Sequence, residues 1–527
     1  MKNKNVSYRY FLVGAILICL ISIIGSCNKD IIEEGSNWQA LAPTKLDSTA
    51  GAWKAVVIGA NDTFALPAVA ATASAAYQNE LTEVKAAVGN QTADQKAAIA
   101  YWSAGGVLRW NEIMRALVAK YNLPPQDSAG VYPMPDSNNP FNYPQFPFSN
   151  PPYAARAYAY VSVAQYDALV AAYKLKTKYG RPAPYKVDAS ITPTIAKSDL
   201  PSYPCEDAVI AASTLVLMKA LFPSEVDYLN QQASNERLFK LWAGAATASD
   251  IAAGDSLGKL VAAKVLARAK GDGMKNAVGN KAIWDSLANR TFARRDNGKD
   301  TVYNDACWRS FDAPSRPPML PLFGKVKAWN FTDPAAVRLP PPPSTNSADV
   351  RGQLDELIGY SQNPTREQLA IVHFWADGAG TQTPPGHWNA IAIDYFQKAH
   401  WSEVRTARNF ALLNMAMMDA AITCWDNKYT YFHPRPTQLD SRIKTLTGLP
   451  NFPGYASGHS TFSGAAESVL GYIIPAEAAN FHAQAEEASL SRIYGAIHLR
   501  IDCTTGLTSG RNIGSLAIAR GKADGSD

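Results

Sequence analysis

Residues 404–436 read VRTARNFALLNMAMMDAAITCWDNKYTYFHPRP. The run from about Val404 to Trp425 is apolar with helical spacing, and Lys428 closes it. Pro434 and Pro436 end the helix, since proline lacks the amide a further turn needs and disfavours helical geometry in the residue before it. Arg435, caught between the two prolines, is then held on a rigid bend.

Outward from this stretch the same kind of pattern recurs. Helical periodicity occupies about 153–175 and several segments between Cys205 and Ala288, and it returns after residue 344 to run to the end of the chain. The stretch 45–120 is Ala-rich and helical, with Thr92-Ala93-Asp94-Gln95 in capping-box form. Two Pro-rich excursions, 121–152 and 313–344, break the pattern; the second contains Pro340-Pro341-Pro342-Pro343, a stiff extended piece. Long loops of this kind often cross a site mouth. Alternating, strand-like runs are scarce and no repeat of short period is visible, so the expected fold is all-α, with helices before and after the second excursion forming two stacked bundles. The expected divisions are 1–26 leader, 27–44 tether, 45–345 helical scaffold and 346–527 catalytic region.

The leader has Lys2, Lys4 and Arg9, an apolar run from Phe11 to Ile24, and Gly25-Ser26 before Cys27. Ile24-Gly25-Ser26-Cys27 resembles the bacterial lipobox, which implies an exported lipoprotein of the cell envelope with Cys27 lipidated, outer-membrane and periplasmic or surface-facing; the acidic Asp30, Glu33 and Glu34 resemble a surface-export tether. A retained transmembrane anchor is disfavoured, because the apolar run is short for a span of about 20 residues. Removing the leader lowers the formal charge from +5 by its three cations to +2, which gives no argument for nucleic acid or for a polybasic membrane footprint. The membrane is therefore met only through the lipid. Beyond the anchor, Cys205, Cys307, Cys424 and Cys503 form an even set with three possible pairings, and no cysteine-histidine spacing suits structural zinc.

All seven histidines lie beyond residue 372, which directs the search for chemistry to the C-terminal third. Three segments stand there in order: Lys428 to Arg435-Pro436, then Ala456-Ser457-Gly458-His459, then Ser491-Arg492 to His498 and Asp502. Together they offer three cations, a hydroxyl, a glycine amide and two imidazoles, the inventory a multiply charged tetrahedral oxyanion requires. Ser457 is placed to cap a helix whose apolar positions are Phe462, Ala465, Ala466, Val469 and Ile473, so that its first amides face the anion. His459 is placed to move a proton there. Asp502, four residues after His498, is placed to orient the imidazole. Gly495 is the expected bend between Arg492 and His498. Singly, each of these residues has a plain structural explanation; their order and spacing together point to a site.

This pattern resembles the three-part signature of the vanadium haloperoxidase and type 2 phosphatidic acid phosphatase superfamily, with Ala456 in place of the signature proline. The resemblance implies His459, His498 and Asp502 as catalytic, His498 as the metal ligand, and Lys428, Arg435, Ser457, Gly458 and Arg492 as vanadate- or phosphate-binding. Trp425 and Phe452 are similar in placement to aromatics near vanadate in the chloroperoxidase branch, although both types are also common in cores. Asp377 resembles the family aspartate that pairs with the third-segment arginine, here Arg492, and 383–388 is similar to a segment of bacterial members that places His387 near the site.

Two activities follow from the resemblance. In one, halide is oxidised by hydrogen peroxide at vanadate bound through His498. In the other, with no cofactor, an acid phosphatase attacks a phosphate ester through His498 to give a phosphohistidine, and His459 protonates the leaving alcohol. A non-enzymatic surface lipoprotein is disfavoured, because every signature side chain able to do chemistry is present. Trp425, Phe452 and Asp377 favour the peroxidase.

Overall fold

The computed structural model describes residues 38–526 except 125, 134, 135, 137, 138, 140–149, 288–304 and 315. The leader and Cys27 lie outside the described residues.

The fold is all-α; among the described residues the only β pairings are two isolated bridges. In chain order the α-helices lying wholly within the described residues are α1 (Ala75–Gly89), α2 (Ala93–Trp102), α3 (Gly106–Tyr121), α4 (Pro151–Tyr179), α5 (Pro184–Val187), α6 (Glu206–Leu221), α7 (Val226–Trp242), α8 (Ala248–Lys270), α9 (Ala348–Gln362), α10 (Arg366–Phe374), α11 (Thr383–Lys398), α12 (Glu403–Tyr431), α13 (Pro436–Leu439), α14 (Gly458–Ile473), α15 (Ala478–Tyr494) and α16 (Arg500–Lys522). The capping box on Thr92 is present, with Gln95 closing it.

The decisive helix, α12, starts at its Ser402 cap, runs 29 residues and stops one residue after Tyr431, where Phe432 turns left-handed at φ 55° ahead of Pro434. It is buried along almost its whole length. On one side it packs against α4, which is also 29 residues long, and on the other against α14 and α16. One core takes side chains from Ala50 to Ala517. Burial of that much apolar surface needs no covalent staple, and the four described cysteines are all free thiols.

The two bundles repeat one plan. Helices α4, α5, α6, α7 and α8 have 29, 4, 16, 17 and 23 residues, and so, in order, do α12, α13, α14, α15 and α16. Each pair stands 252 positions apart, Pro151 against Glu403 and Ala248 against Arg500 alike. Details recur at the same interval. Arg156 Nε donates to Asp272 at 2.7 Å, and Arg408 Nε to Asp524 at 2.7 Å. Gly254 and Gly258 let α8 close onto α6 where any Cβ would strike a carbonyl at 2.3 or 2.5 Å, and Gly506 and Gly510 do the same for α16 on α14.

A strap precedes each bundle and docks on its central helix. Asp167 of α4 accepts the amides of Val56, Val57 and Ile58, and Asp419 of α12 accepts those of Trp329 and Asn330, at 2.7–3.0 Å. The straps also cross over. Lys54 N donates to the carbonyl of Asp524 at the end of the second bundle, and Lys327 N to that of Asp272 at the end of the first.

Candidate active site

The end of α12, the start of α14 and the turn between α15 and α16 converge on one point. Ser457 caps α14, its Oγ accepting the amide of Ser460, and the amide of Ser457 itself donates to the carbonyl of Asp502 at 2.9 Å. That bond ties the second segment to the third. The peptide between Tyr455 and Ala456 is cis. At Gly458 an added Cβ would find nothing nearer than 3.9 Å, so the space before the first turn of α14 is open. The first amides of a helix have no acceptor within it and carry the positive end of the dipole toward that space.

His498 sits in the turn before α16. Its Nδ1 is 3.0 Å from Asp502 Oδ2, which also accepts the amide of Leu499. The contact comes from Asp502 reaching back from the third position of α16 in a capping arrangement; His498 precedes the helix, so the two do not share a helical face as expected. On the other side Arg435 Nη1 lies 2.7 Å from Nε2. A guanidinium only donates and a carboxylate only accepts, so the proton resides on Nδ1 and a lone pair on Nε2. Burial, then Arg435, Lys428 and Arg492, hold the imidazole pKa well below its usual value, which keeps Nε2 unprotonated at neutral pH.

The three cations differ in use. Lys428, fully buried, donates to the carbonyls of Pro453, Gly454 and Ala456 at 2.8, 2.9 and 2.6 Å. It thereby fixes the loop that delivers Ser457 and Gly458. Arg435 donates Nε to Phe452 O and Nη1 to Ile497 O and His498, and its Nη2 has no acceptor. Arg492 donates Nε to Ser491 Oγ, and its Nη2 is likewise without one. Burial lowers both guanidinium pKa values to about 10, so both remain charged at neutral pH. Burial raises the Asp502 carboxyl to about 7, against the pull of Lys428 and Arg435.

Asp377 does not pair with Arg492. Its Oδ1 takes His387 Nδ1 at 3.0 Å, its Oδ2 stands 3.5 Å from His459 Nε2, and among the described residues Arg492 makes no ion pair. The reason is local: Asp377 adopts φ 46° after α10, which turns its carboxylate between the two imidazoles. His387 in turn stacks on Trp375, ring centroids 4.4 Å apart. Burial, then Arg492, lowers the His459 pKa to about 4, opposed by Asp377. The bend between Arg492 and His498 falls at Ala496, φ 54°, rather than at Gly495, whose role is room: a Cβ there would meet Ser491 O at 3.0 Å.

A cavity of about 420 Å³ opens onto this point. His498, His459, Arg492, Gly458, Asp377, Trp425 and Phe452 line it, and Arg435 and Asp502 reach it through their contacts with His498. Trp425 and Phe452, 5.0 Å apart, belong to the core and to the cavity at once. The mouth uses both Pro-rich excursions, through Leu123, Pro124, Tyr132 and Pro133 and through 316–320. A third rim, 447–451, had no signal beyond Pro450; Asn451 Nδ2 ties it to the carbonyls of Arg316 and Pro317.

The donor set fits a tetrahedral oxyanion. Two buried guanidinium nitrogens lack acceptors, an unprotonated imidazole nitrogen lies against one of those guanidinium groups, and a glycine leaves room at a helix start.

Comparison with known proteins adds three findings. Residues 409–522 match the family described as the PAP2 superfamily. The vanadium chloroperoxidase of Curvularia inaequalis is 30% identical over 187 residues, which takes in 28% of this chain and 31% of that protein, so this chain spans about a third of the relative's length. Among solved structures, the first bacterial vanadium-dependent iodoperoxidase aligns with TM-score 0.58 at 20% identity, covering 78% of this chain and 96% of that one. A holo-type bacterial vanadium-dependent chloroperoxidase aligns at 0.50 and 14%, covering 75% and 97%. At such identities the structural likeness is one of fold.

Proposed function

We propose that this chain, whose C-terminal part belongs to the PAP2 superfamily, is a vanadium-dependent haloperoxidase that binds vanadate through His498 and oxidises halide with hydrogen peroxide. The observation that carries the reading is the pair of buried guanidinium nitrogens, Nη2 of Arg435 and Nη2 of Arg492, that lack acceptors, together with an imidazole whose Nε2 is unprotonated and accepts from Arg435 Nη1. Placement of Trp425 and Phe452 on the cavity wall beside them supports the peroxidase over the phosphatase. When bound, vanadate supplies a Lewis-acidic centre that polarises peroxide.

The chain's own residues do the rest. Arg435, Arg492 and the amides at the start of α14 hold negative charge at a buried point, where such contacts are worth more than in water. Asp502 fixes the tautomer of His498 and Lys428 fixes the loop. His459, neutral at neutral pH, takes a proton from incoming peroxide at a ring nitrogen and returns it to the product, steadied by Asp377.

The test is addition of orthovanadate to purified apo-protein. Peroxide- and bromide- or iodide-dependent halogenation should appear, and phosphate should compete with it. If vanadate only suppresses hydrolysis of a phosphomonoester and no halide is oxidised at any pH, the site is an acid phosphatase with His498 as nucleophile. The same proposal places the enzyme in the cell envelope on lipidated Cys27; lipid labelling that persists in Cys27→Ala would remove that part.

A further inference from the structure

The repeat that relates the bundles also relates their centres. Residues of the candidate site have counterparts 252 positions earlier: Lys176 for Lys428, Cys205 for Ser457, Glu206 for Gly458, Asp207 for His459, Lys240 for Arg492 and Asp250 for Asp502, while His498 is matched by Ala246 and its imidazole has no equivalent. The geometry recurs with the positions. Lys176 Nζ donates to Pro201 O as Lys428 does to Pro453 O. The amide of Cys205 donates to Asp250 O at 3.0 Å as that of Ser457 does to Asp502 O. Asp250 Oδ2 accepts the amide of Thr247 as Asp502 Oδ2 accepts that of Leu499. Arg435 is matched by Ala183, but a guanidinium is still supplied: Arg181, 3% exposed, donates Nε to Asp250 at 2.9 Å and leaves Nη1 without an acceptor.

Two lysines therefore meet the start of a 16-residue helix, α6, and Arg181 pairs with Asp250, whose carbonyl holds the Cys205 amide that leads into that helix. The difference lies at the helix start itself. Where α14 has Gly458 and His459 and open space, α6 has two carboxylates directed at the lysines: Asp207 Oδ2 is 3.2 Å from Lys240 Nζ, and Glu206 Oε2 is 3.9 Å from Lys176 Nζ. Asp207 is 3% exposed.

We propose that the first bundle contains a second oxyanion cradle of the same construction, held shut because the Glu206 and Asp207 carboxylates occupy the place a bound tetrahedral oxyanion takes in the second. The ligand it would accept is a phosphate- or vanadate-like ion, and the chain supplies a covalently attached substitute for it. Neutralisation from within makes this centre independent of solution anions, whereas the centre at His498 keeps two guanidinium nitrogens waiting for one.

The test opens the cradle in the full chain with Glu206→Gly/Asp207→His, each residue taking its counterpart's identity. Equilibrium dialysis against orthovanadate should show one more bound equivalent than the unsubstituted chain, and the increment should persist when Arg492→Ala is added to both. A folded double variant with no added equivalent overturns the proposal. Should that variant not fold, Asp207→Asn in the Arg492→Ala background decides. Its thermal midpoint should fall, and inorganic phosphate should restore it saturably while leaving the background unchanged. Equal phosphate response in the two proteins is the opposing result. Because each readout is a difference between paired proteins, it stands whether or not the His498 site binds vanadate.

Discussion

Helices α4 and α12 are the same length, occupy the same place in their bundles and carry an aspartate and a lysine at the same register, Asp167 and Lys176 against Asp419 and Lys428. Both aspartates bind a strap, and burial raises both carboxyls, to about 6 and about 7. They differ in how they end. The left-handed residue after α4 is Gly180, and the one between α7 and α8 is Gly244; their counterparts are Phe432 and Ala496, which pay for the same conformation with a Cβ. Charge follows the same division: the first centre is balanced by its own carboxylates and the second is not. The frame is common to both bundles, and the strain and unmatched charge collect in the copy that carries the proposed site.

The largest expected effect breaks the charge half of this comparison. Arg492→Ala should cost on the order of 2–5 kcal/mol of vanadate affinity with the helical fold intact, because a charge-assisted, desolvated contact is lost. Vanadate binding beside circular dichroism checks it; unchanged affinity would put the anion elsewhere. Its counterpart, Lys240→Met, should leave vanadate affinity unaltered and cost about 3 kcal/mol of stability in denaturant titration, since Asp207 is left buried without its cation.

A pH profile sharpens the asymmetry. Asp377 raises the His459 pKa against burial, so Asp377→Asn should lower it further and move the acid limb of turnover to lower pH, by roughly one unit. An acid limb that stays in place would show that another group titrates there. The smallest effect concerns backbone. Gly180→Ala should cost about 1 kcal/mol, because φ is 60° and the new methyl meets nothing within 4 Å that could compensate. Thermal unfolding measures it, and anion binding should not change.

What was legible in the sequence was local. The helix ending before Pro434, the Ser457 cap and the three signature segments depend on neighbours within a few residues, and the structure brings those segments together. The partner of Asp377 was not legible, because it depends on one left-handed residue that rotates a carboxylate from Arg492 toward His387 and His459. Nor was the use of Lys428, whose three acceptors are backbone carbonyls that carry no side-chain signal. The repeat was hidden for a further reason. What the copies share is helix length and a few buried contacts, while Gly458 and His459 face Glu206 and Asp207, so residue identity is lost where geometry is kept.

The crossed straps have a consequence for heredity and for engineering. Each strap is clasped to its own bundle by an aspartate and to the other by the carbonyl at that bundle's far end, Lys54 to Asp524 and Lys327 to Asp272. The halves are knotted by exchange, like two hands each holding the other's wrist. A gene fragment encoding only 346–527 would contain the whole signature yet neither strap, leaving the carboxylate of Asp419 without the amides that satisfy it. Separating the two bundles would break both exchanged bonds, so the pair is expected to unfold as one cooperative unit.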